Sequence, residues 1–447
     1  MTRSARYRLV AALYGSQFIP LAFFLYGLSA VLRERGVPLG RIGLIQLVAL
    51  VWVVKFAWAP LVDRWGSRRF GHYRPWLIAT QTLMVLTLLA LSRLEVVRDL
   101  WLVVLFMVGL AVVSATQDIA TDATAVRLLQ PSERGIGNGI QKAGGYFGLM
   151  VGGGGGLLAY DHWGWVPAMV LLAAFTAVPL PLLVAYREPG MTAVSRRHQV
   201  SMRTLAGFFH QPGAVRWAFV VLPVYLAGIA VAYPLVTPML VDSGWPLDTI
   251  GSVWIMGGGG VAMVAALVAG GLLSTTRRRP ALVGLALAQV AAIATVLLLA
   301  HRTGGVLVGL AAVVLLSGAF AAVGTAVYTI NMDWSRADSA ATDYTVQDSF
   351  VHLCTQVAGA AGLALAGILG YTAVLTVAVI LGLGGVAIAA RVFHEQPTAV
   401  TPPRTPSGRR QASERDGKPT RDLSPCAEQS PKGGNRRRSD PRTGFGP

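Results

Sequence analysis

The stretch LWLVVLFMVGLAVVSATQDIATDATAVRLL, residues 100–129, decides the fold. Its apolar first half continues into a segment long enough, as a helix rising 1.5 Å per residue, to cross the roughly 30 Å of hydrocarbon in a bilayer. Its second half nevertheless carries two carboxylates, Asp118 and Asp122. A charge at membrane depth costs several kcal/mol unless it faces a cavity or a partner. The segment therefore reads as a membrane helix with one wet or paired face.

The rest of the chain agrees. Of 447 residues, 54% are hydrophobic and only 13% charged, against about 25% charged in soluble domains. Apolar stretches of spanning length recur near residues 9–32, 41–62, 75–92, 100–129, 136–160, 163–186, 215–241, 248–274, 280–300, 305–332, 342–369 and 371–393. The first runs past the length of a cleavable leader and shows no small-residue cleavage site, so Met1 is expected to be the mature start and the first span a signal anchor. Cys354 and Cys426 fall in a span and in the tail, which supplies neither a disulfide framework nor a cysteine metal site.

The net charge of +17 lies largely in loops and tail. Alternate loops are basic, with Arg3, Arg6 and Arg8, then Arg64, Arg68, Arg69 and Arg74, then Arg277, Arg278 and Arg279. The intervening loops hold only Arg33, Arg35, Arg41, Arg93, Arg98 and Arg302. Short basic loops stay cytoplasmic, so both termini are expected inside and the charge sets topology. Nucleic acid is not an expected partner. A long loop, REPGMTAVSRRHQVSMRTLAGFFHQPGAVR, divides six spans from six, and each half has a basic loop after its second helix, LVDRWGSRR and GGLLSTTRRR, as a duplicated unit leaves behind. The expected domains are residues 1–186 (six-helix bundle), 187–214 (cytoplasmic linker), 215–395 (second bundle) and 396–447, a Pro-, Arg-, Ser- and Gly-rich disordered basic tail.

Few ionisable residues lie within the spans: Lys55, Asp118, Asp122, Lys142, Asp348 and His352, with Asp343 near a helix end. Counted from the span mid-points, Lys55 and Asp118 each sit roughly 5 Å to the cytoplasmic side of the bilayer centre and can pair. Asp122 stacks on the same helical face as Asp118. Two carboxylates so close resist joint ionisation, so one can carry a proton. A static polar network that fixes helix packing is the competing reading. Asp348 and His352, also four apart, read either as an internally satisfied pair or as a proton relay. In LVDRWGSRR, Asp63 ends a helix beside Gly66; the loop is a topology signal or a gating latch in which Asp63 meets the positive N-terminal end of another helix. The glycine runs Gly152–Gly156 and Gly257–Gly260 lack the strand and Lys-Ser/Thr of a phosphate loop; they suit close helix packing, either static or sliding.

On these features the chain resembles the major facilitator superfamily: twelve spans in a 6+6 duplication, a long central loop, and APLVDRWGSRR, similar to the loop motif G-x-x-x-D-R-x-G-R-R with Ala59 at the leading glycine and Ser67 inserted. Ser274 and Thr275 stand where the second copy would have Asp-Arg. The resemblance implies an all-α fold in which helices one, four, seven and ten line a cavity, two packs near eleven and five near eight. VKFAWAPLVDR, SATQDIATDA, ERGIGNGIQKAGGYFGLMVGGG and ATDYTVQDS resemble the peptide/acetyl-coenzyme A/drug transporter group, which includes AmpG-type muropeptide permeases and rhizobactin/pyochelin-type siderophore importers. The resemblance covers residues 9 to about 393, with GNGIQKAGGY and TDYTVQDS closer to the siderophore branch. Carried over by position, the matching residues are Lys55, Asp63, Arg64, Gln117, Asp118, Asp122, Arg134, Asn138, Gln141 and Asp343.

The expectation is a proton-coupled, alternating-access importer of a siderophore in the bacterial inner membrane, acting as a monomer without cofactor or metal. An anhydromuropeptide permease is the alternative. The expected pathway residues are Lys55, Gln117, Asp118, Asp122, Asn138, Gln141, Asp348 and His352. The expected gating residues are Asp63, Arg64, Gly66, Arg68, Arg69, Arg134 and Asp343. An intramembrane enzyme and a non-transporting sensor are more distant: an i,i+4 acid pair on one helix does not flank a substrate as catalytic groups from separate elements do.

Overall fold

A computed structural model describes residues 1–37, 47–67, 70–188, 202–301 and 305–393. Arg68, Arg69, the start of the second expected span, residues 189–201 of the linker and the whole tail lie outside the described residues. Among the described residues the chain is helical throughout, apart from one isolated bridge between Ser67 and Gly71.

Ten helices among the described residues are long and apolar enough to span a bilayer. We number the spans in chain order: α1 (Arg3–Leu32), α2 (Val48–Ala57, continuing as Ala59–Arg64), α3 (Arg74–Leu91), α4 (Leu100–Leu128), α5 (Arg134–Gly148 onward to Gly156–Trp163), α6 (Trp165–Ala185), α7 (Ala214–Asp242), α8 (Ser252–Thr275), α9 (Arg278–Ala300), α10 (Gly305–Trp334), α11 (Ala340–Leu369) and α12 (Tyr371–Arg391). The two outside the ten differ for identifiable reasons. The described part of α2 is broken into short turns around Lys55, because Pro60 has no amide proton and its ring crowds the carbonyl one turn back. The first half of α5 is Gly-rich and carries Asn138, Gln141 and Lys142, which lowers its hydropathy.

Short connections make successive helices antiparallel. At Gly164 (φ 84°) and Gly370 (φ 80°) a single residue separates two helices, a left-handed reversal that a side chain would strain. We call the end of the bundle holding Arg6, Asp63 and Arg134 the near end, and the end with Gly164 and Gly370 the far end.

Contacts between the first six helices and the last six run α5 on α8, α5 on α10, and α2 and α4 on α11. The closest backbone approach of α5 to α8 is at glycines outside the two runs. A Cβ on Gly135 would meet the Gly270 carbonyl oxygen at 2.6 Å, and one on Gly139 the Ala266 oxygen at 2.7 Å. Of the runs, Gly156 packs on Phe23 of α1 and Gly258 on Ser317 of α10, while Gly154 meets Met256 of α8 and Gly259 meets Met150 of α5 in ordinary contact at 3.5 and 3.7 Å. The two runs thus face each other across α5 and α8, and the tightest part of that seam lies nearer the near end, where smaller spacing lets backbones touch. Large apolar side chains such as Trp101, Val268 and Ile368 stay exposed around the rim, as suits a hydrocarbon-facing surface.

Candidate functional site

Between the two sets of six helices lies a cavity of ≈ 450 Å³. Its wall is largely aromatic and aliphatic, including Phe18, Trp52, Tyr146, Tyr233 and Phe320, and its ionisable groups are Asp118, Lys142, Asp348 and His352. At its floor the lining acids Asp118 of α4 and Asp348 of α11 clamp the Lys55 ammonium, which lies just behind the lining, 2.5 Å from Asp348. Both acids are buried, and Lys55 is fully so. The break in α2 next to Pro60 sets Lys55 into this position, where it reaches acids from both halves of the sequence. His352 lies 3.7 Å from the second oxygen of Asp348. Gln17 donates to Asp118 at 2.6 Å.

Asp122, one turn nearer the near end, is sealed beneath the floor. One of its oxygens accepts from the Tyr14 hydroxyl (2.6 Å) and the Gln141 amide (3.0 Å); the other, buried, has no hydrogen-bond partner. The Gln141 carbonyl accepts from Tyr344 of α11 at 3.0 Å, and Tyr344 also reaches Asn138 at 3.3 Å. Asp122 is thereby tied, through Gln141 and Tyr344, to the contact between the halves. Oxygens of Asp118, Asp122 and Asp348 lie within 4.8 Å of one another, but the protein's own ammonium already occupies the position between Asp118 and Asp348.

Of the expected pathway residues, Asp118, Gln141, Asp348 and His352 line the cavity, whereas Gln117 and Asn138, like Lys55 and Asp122, do not. Gln117 donates to Gln81, which bonds Ser16 and the Thr176 carbonyl; it faces the interior of the first six helices because one residue along a helix turns the side chain by about 100°. Asn138 lies below the floor, donating to the Arg134 carbonyl at 2.7 Å.

The near end is closed by bonds between the halves. Asp63 accepts from the backbone amides of Ala341 (3.1 Å) and Thr342 (2.7 Å), from the Thr342 hydroxyl (2.6 Å) and from Tyr73 (2.6 Å). It sits on the first turn of α11, where amide protons have no helical acceptor and the dipole is positive. Gly66 is required by close approach, since a Cβ there would strike the His72 ring. His72 is held below the ordinary imidazole range by burial, with Arg127 acting in the same sense and Asp63 and Glu188 opposing. Arg64 is exposed. Asp343 does not reach the loop; it binds Arg336 at 2.7 and 2.8 Å and Ser339 at 3.1 Å.

On the other side, Arg134 pairs with Asp333 of α10 at 3.1 Å, and Asp333 also holds Arg278 of α9 at 2.8 Å. The Ser274 hydroxyl accepts from the amide of Ile136, in the first turn of α5, at 3.0 Å. Ser274, at the position of the motif's acid in the second copy, thus caps α5 as Asp63 caps α11, with the charge supplied instead by Asp333. Sequence reasoning passed over Asp333, Tyr14 and Tyr344, and took Arg278 only as a topology charge. Asp333 carried a usable signal, an acid directly after the apolar run of α10; the tyrosines carried none, because a hydroxyl near a carboxylate exists only in three dimensions.

The family profile of the Major Facilitator Superfamily matches residues 10–347. The chain is 34% identical over 241 residues to the anhydromuropeptide permease of Escherichia coli K12, covering 53% of this chain and 48% of that one. An uncharacterized protein of Haemophilus influenzae is 28% identical over 242 residues, covering 53% and 57%. The chain thus spans about half the length of the curated relatives it matches. Among solved structures, the human organic anion transporter MFSD10 superposes with a TM-score of 0.66 at 15% identity over 87% of this chain and 100% of that one. FucP, a Major Facilitator Superfamily transporter in the outward conformation, gives 0.62 at 16% over 86% and 97%. At such identities the likeness shows the fold. With a helical bundle built around a central cavity and a profile match over most of its length, the chain belongs to the Major Facilitator Superfamily.

Proposed function

We propose that this chain is a secondary carrier that moves an anhydromuropeptide-like solute across the bacterial inner membrane by alternating access, with residues 1–186 and 215–395 as the two moving bodies and both termini cytoplasmic. The observation that carries the reading is the ion triad of Asp118, Lys55 and Asp348 on the cavity floor, which joins the two halves at the point where a solute would rest. Buried charges are strongly destabilised when one partner leaves, so a solute or proton that disturbs the triad has leverage on the contact beneath it. The near-end bonds of Asp63, Arg134 and Asp333 hold that end shut while the cavity loads from the far end.

Asp122 is the proposed proton carrier. Its unpartnered oxygen has room for a proton, and the Gln141–Tyr344 chain passes its state to the opposite half. Cargo follows from the relatives and the wall. The muropeptide name belongs to the E. coli protein, and aromatic faces such as Trp52, Tyr146 and Tyr233 suit the apolar C–H faces of sugar rings while a few polar groups orient the ligand. The siderophore cargo expected from sequence has no counterpart among the relatives described above, so muropeptide takes its place.

The test is uptake of labelled anhydromuropeptide and labelled ferric siderophore by cells lacking their own carriers, with and without a protonophore. Protonophore-sensitive uptake of the muropeptide alone is expected, and Asp122→Asn should remove the gradient dependence. Uptake in Asp122→Asn that still follows an imposed pH gradient excludes Asp122 from coupling.

A further inference from the structure

Two lysines serve the cavity, and they are differently placed. Lys55, behind the floor, is matched by two carboxylates and is fully buried. Lys142 of α5 lies on the wall and pairs with no carboxylate among the described residues. Its ammonium sits 4.0 Å from the ring centre of Tyr328 on α10. A cation–π contact of this kind orients a cation and leaves its N–H groups free to donate. Its stem lies against Gly324, where a Cβ would come within 2.9 Å of the lysine Cε. The glycine leaves the space in which the side chain crosses from α5 to α10. No carboxylate among the described residues touches this buried cation, although the charges of Asp348, Asp118 and Asp122 act on it from a distance and offset part of the cost of burying it. Polarised N–H groups facing a cavity are satisfied most strongly by an anionic oxygen. His352, Thr355 and Gln356 line the same cavity and supply further polar groups.

We propose that Lys142, held by Tyr328 and Gly324, is the anion subsite of the cavity and binds a carboxylate of the transported solute, whereas Lys55 is a structural ion that the solute's anion does not contact. This rests on the carrier reading above and narrows its cargo to solutes with a free carboxylate. Because Lys142 comes from the first six helices and its platform from the last six, an anion bound there touches both bodies that alternating access moves.

The experiment uses the full chain in proteoliposomes and compares counterflow of anhydromuropeptide tripeptide with free carboxylates and with carboxylates amidated. The wild type should favour the acid by about 10- to 100-fold in KM, the range of one charge-assisted hydrogen bond. Lys142→Gln should erase the difference between acid and amide, and Lys142→Arg should keep most of it. Gly324→Val, which retains the charge and fills the space of its stem, should give an intermediate preference and stands in if Lys142→Gln melts below the wild type without ligand. No preference in the wild type, or a full preference kept in Lys142→Gln, overturns the subsite. If the wild type moves neither form, the muropeptide reading fails, and the subsite is judged by thermal shift with N-acetyl-D-alanine against N-acetyl-D-alaninamide. Stabilisation by the acid that disappears in Lys142→Gln supports it; an equal response to acid and amide overturns it.

Discussion

Replacing Asp63 by alanine should unlatch the near end. The carboxylate accepts three hydrogen bonds from α11, at 3.1, 2.7 and 2.6 Å, and a fourth from Tyr73 within its own half. When the halves part, water replaces the three, so each is worth its net value of about 1 kcal/mol. The negative charge on the helix end adds about 0.5 kcal/mol. The sum of about 3.5 kcal/mol corresponds to a shift of roughly 300-fold in the ratio of closed to open near ends. Asp63→Asn keeps an acceptor oxygen without the charge and should shift it less. The measurement is a distance distribution between spin labels at Arg64 and Ala337, both exposed, in a chain whose two cysteines are first replaced by serine. The parent should show one short population, and Asp63→Ala should add a longer one. The pair Arg134–Asp333 holds the same end, so the combination with Asp333→Ala should widen it further. An unchanged distribution in that double variant refutes the latch.

Other outcomes follow from the same geometry. Lys55→Met strands Asp118 and Asp348 against each other and should cost about 3–5 kcal/mol, seen as a lower melting temperature in detergent. Adding Asp118→Asn and Asp348→Asn should recover much of it, and a single variant as stable as the parent would contradict the triad. Gly139→Ala drives a methyl against the Ala266 carbonyl and should widen the near-end distances, while Gly260→Ala, with open space around it, should not; equal effects would show that the close approach at Gly139 does not set the spacing. His72 is depressed by burial below the ordinary 6.5. As pH falls through 6.5 the unpacked loop binds the proton before the packed one, so packing around His72 is lost on acidification and regained above that value. Protease cleavage in this loop should rise on acidification in the wild type and be flat in His72→Gln; an equal rise in both would remove His72 as the cause.

Much of this arrangement was legible in the sequence. Hydropathy and length fix where helices can cross, because a segment without water must satisfy its backbone internally, and α1, α4 and α12 end close to the expected positions. The i,i+4 spacing of Asp118 with Asp122 and of Asp348 with His352 fixes which residues share a helical face. The cost of a bare charge in hydrocarbon makes Lys55 and the acids stand out before any fold is known. Spacing along one helix cannot, however, say which partner arrives from another. Only packing in three dimensions sets Lys55 between two acids from opposite halves, buries Asp122 under the floor with Tyr14 and below the lining Gln141, and turns Gln117 away. The same holds for Asp333, which takes over the charge missing at Ser274, and for Lys142, whose exposure to the cavity depends on Gly324 across the seam. Periodicity is a property of a single helix and can be read from order alone; hydrogen bonds and ion pairs between helices depend on distances that only the assembled bundle determines.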